Sequence, residues 1–251
     1  MKGSHNVPSI FLSPSTQHFN LYVNGGNERQ YMNYIADRME PYLFSSGISF
    51  SRNNPNLNFA AAIAASNAGN YNVHFSVHSN AAGAGREGQV RGSEFYYDPN
   101  SYESRRLATI TANNMKYIYP DPTKVRIVPT TTLGEVVNTR AVAILCEVAY
   151  HDNREDAEWI KNNLTPIAVV LVQALCDYFG IPFVQAKPIS YGIVNTGGAN
   201  LNIRQHPWAT ARLLGVIPNG ASVRIIGRTG NWYAVRFNDI SGFSSADFIV
   251  V

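Results

Sequence analysis

Two histidines spaced four residues apart, His74 and His78, are the first side chains in this chain whose type and spacing suggest chemistry. They lie in the stretch NVHFSVHSN, where apolar and polar residues alternate as in a strand. In an extended chain both imidazoles point to the same side, but they are about 13 Å apart, too far to share an ion. We therefore expect hydrogen bonds within the fold to hold His74. We expect His78 to lie at the strand's carboxyl end, where open α/β sheets place their sites.

Two glutamates could add carboxylates to such a site. Glu147 closes the apolar run VAILCE, where a carboxylate is costly to bury without a partner. A carboxylate in that setting can act as a general acid and base. Glu28 follows Asn27, which is placed to cap a helix. Taken alone, a glutamate in a first helical turn only complements the helix dipole.

The elements that must position these residues alternate between strand and helix over residues 8–180. Strand patterns such as PSIFLSPS and GSEFYYDP are separated by helical ones such as NERQYMNYIADRMEPYLF and SYESRRLATITANNMKYIY. The continuous apolar run AVAILCEVAY predicts an inner strand that is covered on both faces. This order predicts a three-layer α/β domain with a mostly parallel central sheet.

The pattern changes after Gly180. The stretch IPFVQAKPIS has two prolines and no periodicity, as a linker would. Short β-type runs broken by turn residues follow it, which predicts a small all-β barrel. We expect a catalytic domain at residues 1–183, a linker at 184–190 and the barrel at 191–251. Within the barrel, Trp208, Trp232 and Tyr233 are predicted to lie in the core.

Composition and charge exclude several classes of function. No apolar run is long enough to cross a membrane, so membrane insertion is not expected. The net charge of +3 comes entirely from the barrel, which has five arginines and two aspartates. The larger part has no basic stripe, which argues against nucleic acid, whereas a basic barrel fits an anionic polymer. Two cysteines in apolar stretches predict buried thiols rather than a disulfide.

Residues 191–251 resemble a bacterial SH3 domain over their whole length. The motifs LNIRQHP, LLGVIPNGASVRII, GNWYAVRF and GFSSADFI follow the family's order and spacing. The resemblance implies a module that attaches a wall hydrolase to peptidoglycan.

The larger part, from Ser9 to Phe179, resembles the zinc-dependent N-acetylmuramoyl-L-alanine amidases, which have a phosphorylase/hydrolase-like α/β fold. The motifs are SPSTQHFN after the first strand, Asn27–Glu28 opening the first helix, SVHSNA, GSEFYY and ILCEVAYHDNREDAEWI. The family's pattern has a glutamate at the first helix, S-x-H-x-N-A after a strand, and a late glutamate motif.

The resemblance implies a Zn2+ site with three protein ligands and an open position for water. Glu28 and His78 match the family's second and third ligands. The family's first ligand is the histidine of D-P-G-H-G, a place that Thr16 takes in this chain. Gln17 is one candidate, since some phage-type members share SPS-x-Q. His18 is the other, since imidazole is the better zinc ligand.

Glu147 matches the family's catalytic glutamate. The implied reaction is hydrolysis of the amide bond between N-acetylmuramic acid and the L-alanine of the stem peptide, with zinc-activated water as the nucleophile. Two alternatives stay open, namely a catalytically degenerate wall-binding protein and a zinc endopeptidase acting within the stem peptide. The start MKGSHNVPSIFLSPS does not resemble a secretory signal. We therefore expect an endolysin that is made in the cytoplasm and acts on the wall after release; its oligomeric state stays open.

Overall fold

The computed structural model of the chain describes residues 7–186 and 190–251. The chain divides into two compact units, Met1–Phe183 and Val184–Val251. The predicted linker at 184–190 includes residues 187–189, which lie outside the described residues.

The first unit alternates strands and helices, as predicted. Its strands are β1 (Ser9–Pro14), β2 (Ser49–Arg52), β3 (Val73–Asn80), β4 (Ser93–Tyr97), β5 (Val125–Pro129) and β6 (Val142–Tyr150). Its helices are α1 (Glu28–Ser45), α2 (Phe59–Ala68), α3 (Tyr102–Met115), α4 (Gly134–Val137), α5 (Arg154–Asn162) and α6 (Leu164–Phe179). Neither β2, β5 nor the short α4 is predicted by the sequence patterns above.

These strands form a six-stranded sheet in the order β2-β1-β3-β6-β4-β5. All neighbours pair in parallel except β4 and β6, which are antiparallel. The prediction of an α/β domain with a mostly parallel sheet is therefore confirmed. Because β4 runs backwards, its amino end and that of β5 lie beside the carboxyl ends of β3 and β6.

The two faces of the sheet differ in what they carry. Along β3, the apolar residues Val73, Phe75 and Val77 belong to the main core, together with residues of α1, α3 and α6. The alternate residues His74 and His78 point to the other face, since side chains alternate across a strand. Helix α1 begins where predicted, because the Asn27 side chain accepts a hydrogen bond from the backbone N–H of Gln30 at 3.0 Å. The face opposite the main core is therefore available for polar chemistry.

Both cysteines, Cys146 and Cys176, are buried free thiols, as predicted. No helix within the described residues combines the length and the apolar character needed to cross a bilayer.

The second unit is an antiparallel β structure. Its strands are β7 (Ser190–Val194), β8 (Leu201–Arg204), β9 (Leu213–Ile217), β10 (Ser222–Thr229), β11 (Trp232–Phe237), β12 (Ile240–Ser245) and β13 (Ile249–Val250). They pair in the order β13-β7-β10-β11-β12-β8-β9 around a small aliphatic core.

The prediction that the barrel's large aromatic residues lie in its core is wrong for Trp208. That side chain is 51% exposed and stacks on His206, with ring centroids 4.6 Å apart. It lies outside the strands, in the segment between β8 and β9, where neither strand alternation nor sheet pairing directs it inward. Tyr233 does pack against the barrel core, and Trp232 is partly buried.

Candidate active site at the carboxyl end of the sheet

The imidazole of His78 lies between two carboxylates at the end of β3. Its Nδ1 is 2.9 Å from Glu28 Oε1, and its Nε2 is 2.9 Å from Glu135 Oε2. All three side chains are buried, with His78 only 5% exposed. Burial disfavours the charged imidazole, but the hydrogen bonds to Glu135 and Glu28 outweigh it and raise the pKa of His78 well above its usual value. The site thus concentrates charge that a protein normally leaves in water.

Glu28 reaches His78 from the amino end of α1, and a nearby amide connects it to Gln17. The Asn20 Nδ2 group donates hydrogen bonds to Glu28 Oε2 at 2.6 Å and to Gln17 Oε1 at 3.1 Å. The Gln17 amide nitrogen lies 3.5 Å from His78 Nδ1. The segment that follows β1 therefore brings Gln17 to the same side of the imidazole as Glu28.

The other candidate from that segment, His18, has a different environment. Its side chain is exposed, and its ring contacts Phe19 edge-to-face with centroids 5.5 Å apart. The structure brings Gln17 to His78, whereas His18 faces solvent. Which of them binds a metal stays a prediction.

Glu147 lies on β6 directly beside His78, since the two residues are register partners. Its Oε2 atom is buried and has no hydrogen-bond partner within the described residues. Burial raises the pKa of Glu147 to about 8, an effect that His78 opposes and Glu28 and Glu94 reinforce. An unpaired carboxyl group with a pKa near neutrality can both accept and donate a proton at physiological pH.

Glu135 is the site residue that the sequence patterns miss. It belongs to the four-residue helix α4, which follows a run of threonines and has too few residues to show apolar periodicity. Its Oε1 accepts hydrogen bonds from Ser13 Oγ at 2.5 Å and Ser76 Oγ at 3.2 Å. Burial opposes ionisation of this carboxyl, but its hydrogen bonds to His74 and His78 lower its pKa below the usual value.

His74 is held within the fold, as predicted. Its Nδ1 lies 2.9 Å from Ser66 Oγ on α2, and its Nε2 lies 3.2 Å from Glu135 Oε1. The Glu135 carboxylate therefore contacts both histidines of β3, and His74 has a structural role.

Another buried glutamate, Glu94, lies on the other side of Glu147. The two are register partners on the antiparallel strands β4 and β6. Glu94 Oε1 accepts a hydrogen bond from Arg126 Nε at 2.9 Å and another from Arg126 Nη2. Its Oε2 accepts hydrogen bonds from Tyr96 Oη at 2.6 Å and Asn80 Nδ2 at 3.2 Å. The motif GSEFYY contains Glu94, but only the pairing of β4 with β6 shows that it adjoins the site.

The donor groups around His78 Nδ1 define what this site could hold. Within residues 7–186 and 190–251, no three histidines, cysteines, aspartates or glutamates are arranged to bind a metal ion. Glu28 and His78 supply two such ligands. The Gln17 amide lies beside them with its nitrogen toward His78 and its oxygen toward Asn20, and a half-turn of the amide would bring its oxygen to the same point. A carboxylate, an imidazole and an amide oxygen are all known ligand types, and the unpartnered Glu147 Oε2 adjoins them. The residues present therefore fit a metal held by three protein groups.

Comparison with known families gives two matches. A profile of the Amidase_3 family, described as N-acetylmuramoyl-L-alanine amidase, matches residues 17–176. A profile of the SH3_3 family, described as bacterial SH3 domain, matches residues 199–250. Comparison with curated proteins found no match.

Several solved structures share the fold of the first unit. The N-acetylmuramoyl-L-alanine amidase AmiC2 of Nostoc punctiforme aligns with a TM-score of 0.62 at 15% identity, over 70% of this chain and 98% of that one. An N-acetylmuramoyl-L-alanine amidase from Clostridium difficile 630 gives 0.62 at 16% identity, again over 70% and 98%. The catalytic domain of the CD27L endolysin, which targets Clostridia difficile, gives 0.57 at 18% identity, over 68% and 98%.

The amidase profile covers more than half of the chain, and the second profile falls within the antiparallel unit. The protein belongs to the Amidase_3 family of N-acetylmuramoyl-L-alanine amidases and carries a C-terminal bacterial SH3 domain.

Proposed function

We propose that this protein is a zinc-dependent peptidoglycan amidase that cleaves the bond between N-acetylmuramic acid and the L-alanine of the stem peptide. The observation that carries the proposal is the arrangement around His78. Gln17 and Glu28 lie on one side of its imidazole, and Glu147, whose Oε2 has no hydrogen-bond partner within the described residues, lies on the next strand. Membership in the amidase family supports the choice of bond.

Gln17, Glu28 and His78 would hold the zinc ion, Gln17 through its amide oxygen and His78 through Nδ1. Zinc bound there would lower the pKa of a water molecule and polarise the scissile carbonyl. Asn20 positions two of these groups, because its amide donates hydrogen bonds to both Gln17 and Glu28. His18 faces solvent and takes no part in this proposal.

Glu135 would set the tautomer of His78. With a metal at Nδ1, the imidazole carries its proton on Nε2, which donates a hydrogen bond to Glu135 Oε2. A carboxylate behind a metal-binding histidine fixes the orientation of the ring and raises its basicity. Ser13, Ser76 and His74 in turn hold Glu135.

Glu147 would move the proton. Its carboxylate takes a proton from the attacking water as the water oxygen bonds to the lactyl carbonyl carbon. It then gives that proton to the alanine nitrogen as the carbon–nitrogen bond breaks, so the products are a free carboxylic acid and a free amine. Burial raises the pKa of Glu147 to about 8 in the metal-free protein, so its carboxylate is a stronger base than an exposed one and can take up the proton.

The C-terminal SH3 domain would attach the enzyme to the wall. Its five arginines against two aspartates favour an anionic polymer, and Arg212 and Arg228 are exposed. Peptidoglycan is thus both the substrate of the first unit and the binding partner of the second.

We place the enzyme among the endolysins, which act on the wall after release from the cytoplasm. Likeness to the CD27L endolysin catalytic domain supports this choice, although wall amidases of other kinds share the fold. Expression in the cytoplasm of a sensitive host, with and without a co-expressed membrane pore protein, tests it. Lysis only in the presence of the pore is the expected result, and lysis without the pore would contradict it.

The test of the reaction is digestion of purified peptidoglycan followed by end-group analysis. We expect new N-terminal L-alanine and no new reducing sugar ends. Glu147→Gln should lower turnover by roughly 10²–10⁴-fold, because an amide cannot accept the proton. Glu158→Gln, which changes an exposed glutamate on α5, is the matched control.

Each other outcome has a distinct meaning. New N-termini other than alanine would identify an endopeptidase, and new reducing ends a glycosidase. Wall binding without cleavage, by protein that takes up no zinc, would identify a degenerate wall-binding protein.

A further inference from the structure

Four ionisable side chains form a row across the face of the sheet that carries the site. His78 pairs in register with Glu147, Glu147 with Glu94, and Glu94 with Arg126. These residues lie on four adjacent strands, β3, β6, β4 and β5, and register partners point to the same face. With strands about 4.8 Å apart, the backbone at Arg126 lies about 10 Å from that at Glu147. The row therefore extends from the proposed reacting groups to an arginine at the edge strand.

Arg126 combines a fixed position with a free outer surface. Its side chain is 65% exposed, whereas the side chain of Glu94 that holds it is 4% exposed. Within the described residues its hydrogen bonds come from Nε and Nη2, and both go to one carboxylate oxygen of Glu94. A guanidinium group has five N–H donors in a rigid fork, so three remain for another acceptor.

Hydrogen bonds fix the carboxylate of Glu94, which in turn holds Arg126 in place. Its second oxygen is occupied by Tyr96 and Asn80, so the carboxylate cannot rotate away without losing hydrogen bonds. An ordinary exposed ion pair contributes little to stability and does not need a buried partner. Burying Glu94 beside Glu147 adds like-charge repulsion, which a purely structural pair would avoid.

We propose that Arg126 binds a carboxylate of the stem peptide, namely the α-carboxylate of the residue that follows L-alanine. This inference rests on the proposed amidase function. An extended peptide advances about 3.3–3.6 Å per residue, so the residue after alanine reaches within the span of an arginine side chain on β5. The guanidinium fork matches a planar carboxylate in a way that no amide can. The leaving peptide then lies across β6, β4 and β5.

Two synthetic substrates that differ in one group test this assignment. Both are N-acetylmuramoyl-L-alanyl-D-glutamic acid derivatives with the γ-carboxyl group blocked as a methylamide; one keeps the free α-carboxylate and the other has an α-amide. The wild-type protein should show a kcat/KM about 10- to 100-fold higher for the carboxylate. Arg126→Gln should bring the ratio of the two kcat/KM values close to one, and Arg126→Lys should keep part of it.

The ratio of the two kcat/KM values distinguishes loss of carboxylate recognition from a general loss of activity. Loss of Arg126 leaves Glu94 unpaired and can slow both substrates, but that effect does not distinguish an amide from a carboxylate. The double variant Glu94→Gln/Arg126→Gln removes the unpaired charge and should still give a ratio near one. Arg140→Gln changes an exposed arginine just before the amino end of β6, and it should keep the wild-type ratio.

A wild-type ratio of one, or a ratio that Arg126→Gln leaves unchanged, would overturn the assignment. Failure of the amidase function would look different, since neither substrate would be cleaved. In that case calorimetric binding of the same two compounds decides. Tighter binding of the carboxylate that depends on Arg126 supports the subsite, and equal or absent binding of both compounds refutes it.

Discussion

The two units of this protein differ in whether they bury ionisable side chains. The first unit buries several glutamates and histidines on the face of the sheet that carries the candidate site, among them Glu28, Glu94, Glu135, His74 and His78. In the second unit, Ser244 is the one polar residue that is fully buried within the described part. Burying ionised groups is expensive unless they are paired, and most of those in the first unit are hydrogen-bonded to one another.

The difference shows what each task requires. The proposed proton transfer needs a group that is desolvated and held in place, and Glu147 Oε2 has no hydrogen-bond partner within the described residues. Attraction to a charged polymer works from the surface, so the second unit can keep an ordinary aliphatic core. Substitutions at the site of the first unit should therefore change zinc binding and turnover. Substitutions in the second unit should change only binding of the protein to the cell wall.

Replacement of Gln17 should have the largest effect on zinc affinity, because the Gln17 side chain lies beside His78 whereas His18 faces solvent. Gln17→Ala should lower zinc affinity by more than the roughly 10- to 100-fold expected for a group outside the metal's first coordination sphere. His18→Ala should change zinc affinity little, because its side chain faces solvent. Competition with a fluorescent chelator measures both. The reverse order would assign the ligand to His18.

Glu135→Gln should weaken zinc binding by roughly 10- to 100-fold without removing a ligand. The amide keeps the size of the side chain but no longer offers a charged acceptor to His78 Nε2–H. The same chelator competition applies, with Glu158→Gln as the exposed control. Unchanged zinc affinity would mean that Glu135 holds β3 and α4 together and does not act on the metal.

Removal of residues 184–251 should lower activity on intact walls on the order of tenfold at low salt. Activity on solubilised muropeptides should stay unchanged, because the first unit is compact by itself. Binding of the full-length protein to walls should weaken as salt rises, since salt screens its arginines. Turbidity assays at 20 and 300 mM salt give the comparison. Equal activity of both proteins on intact walls would remove the targeting role.

Glu147→Gln should stabilise the zinc-free protein at high pH, which is the smallest effect of the four. The pKa of Glu147 is raised to about 8 in the folded protein, so folding favours its protonated form. This contribution to the free energy of unfolding is complete below the unfolded-state pKa and is lost as pH rises through about 8. The variant has no charge to bury, so its Tm should exceed that of the wild type by on the order of 5 °C at pH 9. The two should converge at lower pH. Thermal denaturation with a chelator at pH 5, 7 and 9 measures it, and a difference independent of pH would contradict it.

Local signals in the sequence were sufficient for the framework of the site. The side chain of Asn27 marks the start of α1, the alternation up to His78 marks the end of β3, and the apolar run up to Glu147 marks an inner strand. Each of these signals is contained within a few neighbouring residues.

Other parts of the site depend on contacts between distant segments. Glu135 lies 57 residues from His78 on a helix too short to have periodicity, and Glu94 adjoins Glu147 only because β4 is antiparallel to β6. Aromatic character alone predicts a core position for Trp208, but the residue lies outside the strands and its side chain is exposed. Pairing between strands, rather than residue type, decides these cases.

Because β4 is antiparallel to β6, the segment between β3 and β4 is a place where the sequence can vary without disturbing the sheet. The segment 81–92 leaves β3 and enters β4 at the same edge of the sheet, so it begins and ends beside the row formed by His78, Glu147 and Glu94. Gly83, Gly85 and Gly88 in this segment have φ near +80°, a conformation that favours glycine, and a Cβ added at Gly83 or Gly85 would meet no other atom. Insertions there can change the surface beside the candidate site while the strands keep its residues in register.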